Sequence, residues 1–264
     1  MKKIIFTLIL FIFLTLTSIL IIISTIGIET DKFNSLISKK INQTENLDLK
    51  ITTIRFKIDI QEISLFLETI DSQIDYRNVF IPVKNIKVYV DFISLLKSEP
   101  KIKKIYLTLN QLDIKELKKI SVVFKPSNFT SFVNNKIKKG KLNTEIEIYL
   151  DKNNIFDNFI ARGSVSNLKT EIINNIELNK TSFNFFADKT DVLIQKIVGE
   201  SGPIKISKGD LKIKLSSEIS LETNFKTTIK YNNKFTNYTN LLKDLRYIND
   251  ISNLEAELDN SFFI

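Results

Sequence analysis

The spacing of hydrophobic positions divides the chain into three stretches. From Ile4 to Ile28 the sequence is uncharged and broken only by Thr, Ser and Gly27. A helix of that length, at 1.5 Å per residue, covers the roughly 30 Å hydrocarbon core of a bilayer with some tilt. A cleaved signal peptide is the alternative, but its apolar stretch runs to about 7 to 15 residues and ends at a small-x-small site. Ser24-Thr25-Ile26-Gly27-Ile28-Glu29 offers no such site. Residues 1–28 are therefore predicted to form a tip and a retained transmembrane anchor. Lys2 and Lys3 on the short side, with Glu29 and Asp31 beyond the other end, direct the amino terminus to the cytoplasm by the positive-inside rule.

Beyond the anchor, Phe33, Leu36, Ile37 and Ile41 follow helical spacing after Asp31, a plausible N-cap. The period then changes to two. Ile86, Val88, Val90 and Phe92 alternate with Asn85, Lys87, Tyr89 and Asp91, and Leu142, Ile146, Ile148 and Leu150 alternate with Asn143, Glu145, Glu147 and Tyr149. The same alternation recurs in Ile105-Leu107-Leu109, Phe159-Ala161-Gly163-Val165, Leu211-Ile213-Leu215 and Ile219-Leu221-Phe225. Each pattern predicts a strand with one apolar and one wet face. Turn clusters at Asp151-Lys152-Asn153-Asn154, Asn174-Asn175, Ser207-Lys208-Gly209-Asp210 and Asn232-Asn233 separate them.

Roughly fifteen short strands with almost no helix between them predict a mostly β protein, an antiparallel meander over residues 29–239 with short capping helices. Phe92 to Lys97 reads as one helical turn stopped by Pro100. Residues 240–264 are assigned to a C-terminal amphipathic helix on Leu241, Leu242, Leu245, Ile248, Ile251, Leu254 and Leu258. The abrupt close at Ser261-Phe262-Phe263-Ile264 reads as an incomplete polypeptide.

Composition narrows the chemistry. The 264 residues contain no His, Cys or Trp, which removes thiol nucleophiles, Ser-His-Asp triads and Cys/His metal sites. Ser94-Leu95-Leu96-Lys97 and Ser166-Asn167-Leu168-Lys169 match the S-x-x-K spacing of serine acyl-enzymes, but no S-D-N or K-T-G accompanies them. Glu145 with Glu147 and Asp188 with Asp191 read as a wet strand face and a turn. The six glycines form no phosphate loop. No enzyme activity, metal or cofactor is expected. The net charge of +8 rests on Lys, with Arg only at 55, 77, 162 and 246, which argues against nucleic acid as a partner. Clusters at Lys101–Lys104, Lys115–Lys119 and Lys136–Lys139 suit solvated, aggregation-blocking edges or anionic headgroups, the former preferred.

Three segments carry a likeness to a known family. These are the anchor followed by Phe33-Asn34-Ser35-Leu36, then Ile86 to Leu96, then Ile102-Lys103-Lys104-Ile105-Tyr106-Leu107-Thr108-Leu109. A strand ending in aspartate, a short Leu-Leu turn and a strand opening on spaced isoleucines resemble the N-terminal part of the AsmA-like envelope proteins, relatives of TamB and the bridge-like lipid-transfer proteins. Ala161 to Val165, Phe183-Asn184-Phe185 and the stretch from Gly202 to Leu211 resemble that family's later hairpins.

The resemblance implies a sheet curled into a U-shaped groove that holds phospholipid acyl chains. Its lining would comprise Ile86, Val88, Val90, Ile105, Leu107, Leu109, Ile146 and Ile148. It further implies a single-pass bacterial inner-membrane protein with a periplasmic body, acting in lipid handling or outer-membrane homeostasis alongside other envelope proteins. An apolar strand face equally builds a closed sandwich core, so an anchored assembly module that binds protein partners stands as the alternative.

Overall fold

The computed structural model describes residues 2–30, 34, 47–51, 53–62, 64–70, 72–91, 101–123, 126–151, 155–173, 176–215, 219–232 and 253–263. Helix α1, Lys2–Thr25, is long and apolar enough to cross a membrane, and no part of its span is buried by the rest of the chain. Several of its hydroxyls bond back to the helix. Thr7 donates to the Lys3 carbonyl at 2.9 Å, Ser18 to Leu14 at 2.8 Å and Thr25 to Ile21 at 2.7 Å, the internal pairing that a bilayer would require of these donors.

The helix stops at Gly27, whose φ of +80° suits glycine and whose amide, like that of Ile26, donates to the Ile22 carbonyl. A Cβ there would stand 2.9 Å from the Phe56 carbonyl oxygen and 2.7 Å from Lys57 Cγ. Strand β1 (Ile28–Thr30) follows at once and pairs with β3 (Thr53–Asp59), Ile28 opposite Phe56 and Glu29 opposite Arg55. The helix thus runs into the sheet without a linker.

Thirteen strands form one antiparallel sheet, mostly connected as a meander, whose linear order begins at β1 and ends at β16 without the two end strands pairing. The chain divides into two compact units, residues 1–108 with 147–158, and residues 109–146 with 159–264. The first holds β1, β3, β4 (Ser64–Ile70), β7 (Val83–Val90) and all but the last residue of β8 (Ile102–Leu109). It also holds a separate three-stranded sheet of β2 (Leu47–Lys50), β5 (Gln73–Tyr76) and β6 (Val79–Ile81). Arg77 and Asn78, at φ +50° and +62°, make the two-residue turn between β5 and β6, the left-handed pair that suits the twist of a tight hairpin.

The second unit holds β9 (Leu112–Asp113), β12 (Ile176–Ala187), β13 (Asp191–Ser201), β14 (Ile204–Leu215), β15 (Ile219–Asn232) and β16 (Asn253–Phe263). Strands β10 (Ile137–Leu150) and β11 (Phe156–Ile173) contribute to both units. From β10 onward the strands are 11 to 18 residues long, not the short ones expected.

Two other expectations change. Asn253–Phe263 is a strand paired along its whole length with β15, from Asn232↔Asn253 to Glu222↔Phe263, not the end of a helix. Leu254 and Leu258, four apart, satisfy both periods, and pairing with β15 decides between them. The rest of that predicted helix, the Phe92–Lys97 turn, and the helix after Asp31 apart from Asn34 lie outside the described residues.

Helices α2 (Ile114–Ser121) and α3 (Asn128–Asn135) were not located by periodicity. Both start with a capping box. Asp113 accepts from the Lys115 and Glu116 amides at 2.8 and 2.9 Å while Glu116 accepts from the Asp113 amide at 2.8 Å; Ser127 and Thr130 cap α3 in the same way. The Asp-x-x-Glu signature was the legible sign.

Candidate apolar binding face

In the first unit the register of β3, β4 and β7 sorts side chains into two faces. Ile54, Thr69 and Ile86 form one row, Phe56, Leu67 and Val88 the next, and Ile58, Leu65 and Val90 the third. Ile28 joins Phe56 at the end where α1 enters. Ile54, Ile86, Leu65 and Val90 are buried, Phe56, Leu67 and Val88 half-buried, and Ile28 is 52% exposed.

The neighbours of β8 and β10 fix their faces too. Lys104 Nζ lies 4.5 Å from the Tyr89 ring centroid and Lys87 Nζ 5.9 Å from that of Tyr106, so Lys104 and Tyr106 share the side of Lys87 and Tyr89. Ile105 and Leu107 therefore take the apolar side. Glu147 meets Lys104 and accepts from the Tyr149 hydroxyl at 2.7 Å, which turns Ile148 the other way. Leu109 and Ile146 continue the same alternation in their strands, within the second unit. All eight of the residues named from the sequence thus avoid the charged side of their strands; Ile86 and Val90 are already buried by protein, and the other six are half-buried.

The opposite face of the first unit is not the simple wet surface expected. Phe66 and Tyr89, both buried, stack with centroids 5.2 Å apart. Around them Lys57 pairs with Glu68 at 2.8 Å, Asn85 also donates to Glu68, and Lys104 bonds Glu62 at 2.6 Å. Burial alone would raise the Glu68 pKa, but the hydrogen bonds from Lys57 and Asn85 and the charges of Lys57 and Lys87 outweigh it and hold the carboxyl below its ordinary range. Burial, with Asp59, Glu62 and Glu147 nearby, pushes the Tyr89 phenol up, so it stays neutral. The network satisfies buried charge pairwise, as burial demands.

In the second unit the rows are longer. Gly163, Phe185, Ile194 and Leu211 stand opposite one another in turn across β11 to β14, and Ala161, Ala187, Val192, Ile213 and Leu221 form the neighbouring row out to β15. Val165 with Phe183, and Gly209 with Phe225, extend the same face. Every apolar side chain in these rows is half-buried and none is buried. On the other side lie Arg162, Ser164, Asn184, Gln195, Lys212 and Glu222, with Phe186 and Leu193 among them. Period-two alternation marks most of these strands singly, and the register joins them.

A seam of bulges crosses this face. Asn167, Lys180 and Lys196 have φ of +52°, +49° and +55°, and the register shifts in β11 against β12, in β12 against β13 and between Ile206 and Lys208. Each bulge inserts a residue and bends its strand. Past Lys196, Ile197 lies against Gly209, with a Cβ on that glycine 3.1 Å away. The apolar row thus moves from Val192 and Ile194 to Ile197 without leaving its face.

The remaining candidates are structural in place. Glu145 pairs with Arg162 at 3.3 Å. Asp188 accepts from the Thr190 and Asp191 amides at 2.7 and 2.8 Å, which holds its pKa down. Lys169 pairs with Glu177 at 3.0 Å. Ser94 and Lys97 lie outside the described residues.

Fold and faces together define a mostly β protein with an unclosed antiparallel sheet, an apolar face in each of its two units, and a leading helix long and apolar enough to span a membrane. Compared with known proteins, the chain matches no family model, no curated protein and no solved structure.

Proposed function

We propose that this chain is a bacterial inner-membrane protein of lipid handling that holds phospholipid acyl chains against the apolar side of its sheet, with headgroups left in water. The observation that carries the reading is the second unit's face. Val165, Phe183, Phe185, Ile194, Leu211 and Ile213 are all half-buried, none is buried, and the end strands of the sheet, β1 and β16, do not pair with each other. A sandwich core would cover such residues from a second sheet. Contact with acyl chains removes the same surface from water at about 0.8 kcal/mol per methylene, and the mechanism needs no covalent step.

The direct passage from α1 through Gly27 into β1 supports delivery of that face from a bilayer, and Ile28 opens the first unit's apolar rows at the membrane end. Lys2 and Lys3 before the helix and Glu29 after it favour a cytoplasmic amino terminus and a periplasmic body. The likeness of the strands from Ile86 to Leu109 to AsmA-like proteins agrees. On this reading Val88, Ile105, Leu107, Leu109, Ile146 and Ile148 contact lipid, while Ile86 and Val90 back them from within the protein.

A second reading has its own support. Burial of Ile54, Leu65, Ile86 and Val90 is what a protein-filled core gives, and it favours an assembly module that meets protein partners at a sheet edge. Lipid extraction separates the two. The full chain, purified in mild detergent, is expected to carry more phospholipid by mass spectrometry than its Ile194→Asp variant, with circular dichroism unchanged. Equal lipid in both would overturn the lipid reading.

A further inference from the structure

Strands β9 and β10 pair, Leu112 with Leu142 and Asp113 with Lys141, and the chain between the two strands leaves the sheet and returns to it at that one place. The described residues between them hold α2 and α3, which pack together, with Ser121 Oγ 3.3 Å from Asn134 Oδ1. Residues 112–141 hold eight lysines against Asp113 and Glu116, a net +6 of the chain's +8, with Lys138, Lys139 and Lys141 on the start of β10. A charge spread for solubility would not gather in so short a stretch.

Lys136 and Lys138 are neutralised by Glu171 and Glu177. Among the described residues no carboxylate lies within 4 Å of Lys115, Lys118, Lys119, Lys139 or Lys141. Lys115, Lys119 and Val122 fall at i, i+4 and i+7, one stripe of α2, and Ser121 is the buried position beside it. Val122 is 74% exposed at the helix C-cap. On α3, Val133 is 1% exposed and fixes the helix, while its neighbour Phe132 is 40% exposed. Unpaired cations beside outward apolar side chains on short, doubly capped helices are what an interfacial segment offers a lipid surface. Nucleic acid fits less well, for want of arginine forks and of a row of stacking rings.

We propose that the α2–α3 excursion docks on an anionic phospholipid surface, its lysines on headgroup phosphates and Val122 and Phe132 in the acyl boundary. This contact is separate from α1 and independent of the acyl-chain reading. The full chain, held in nanodiscs of neutral phosphatidylcholine, is mixed with vesicles of phosphatidylcholine alone or with 30% phosphatidylglycerol and floated on a density gradient. The expected result is flotation with the anionic vesicles only, abolished in high salt. Lys115→Gln, Lys118→Gln and Lys119→Gln together should weaken partition by about a hundredfold, roughly fivefold per lysine. The matching arginine triple should keep it, and Val122→Ser should lose about fivefold. Equal flotation with neutral vesicles, an unchanged glutamine triple, or binding to single-stranded RNA in place of vesicles would overturn the proposal.

Discussion

Gly163 and Phe185 stand opposite each other in β11 and β12, and the phenyl ring reaches across the place a glycine Cβ would take, its Cζ 2.9 Å from that point. The Asn143 carbonyl oxygen crowds the same point from the other neighbour. Gly209 and Phe225 repeat the pairing in β14 and β15. Rings laid over glycines keep the apolar side smooth and protect the glycine backbone from water.

The two glycines should respond differently to a methyl group. At Gly163 the obstacle is backbone, which cannot swing aside, so Gly163→Ala is expected to destabilise the chain by about 3 kcal/mol. At Gly209 the obstacles are the Phe225 ring and the Ile197 side chain, and Gly209→Ala is expected to lose about 1 kcal/mol. Urea unfolding of the detergent-solubilised chain measures both, and equal losses would contradict the difference.

Gly27 joins α1 to the sheet at a positive φ. Gly27→Ala places a methyl group against the Phe56 carbonyl in a left-handed conformation, a strain of about 1 to 3 kcal/mol. The junction should open more often, so limited proteolysis of the reconstituted protein is expected to cut near residues 26–30 several times faster than in the unchanged chain.

The Lys57–Glu68 pair gives the first unit a pH dependence of known sign. The folded state holds the Glu68 pKa below its ordinary 4.5, so the unfolded state takes up protons first as pH falls. The pair's stabilisation is complete above about pH 5 and is lost as pH drops through 4.5 toward the lowered folded value. Glu68→Gln should lose about 2 kcal/mol at pH 7, and its deficit should shrink by pH 3. Thermal melts at the two pH values test this, and a constant deficit would contradict it.

Period two alone separated the apolar from the polar positions of β7, β8 and β10, because a strand's alternation is written residue by residue. The same rule hid the Phe66–Tyr89 stack, since Tyr89 sits among Lys87 and Asp91 and its partner comes from a different strand. It also missed the continuity from Ile194 to Ile197, which depends on a bulge at Lys196 that no local pattern announces. Leu254 and Leu258 misled for a further reason. Two positions four apart fit a helix as well as a strand, and only pairing with β15 selects.

The central claim is that lipid meets one side of the sheet and not the other, and β12 carries a neighbouring pair that tests it. Phe185 belongs to the apolar row with Gly163 and Ile194, while Phe186 lies opposite Arg162 and Leu193 on the reverse side. A photoreactive phenylalanine analogue placed at each position in turn, irradiated in native membranes and analysed by mass spectrometry, reads the contact directly. A phospholipid adduct at Phe185 and none at Phe186 is the expected result. Adducts with protein alone at Phe185, or lipid captured equally at both, would contradict it.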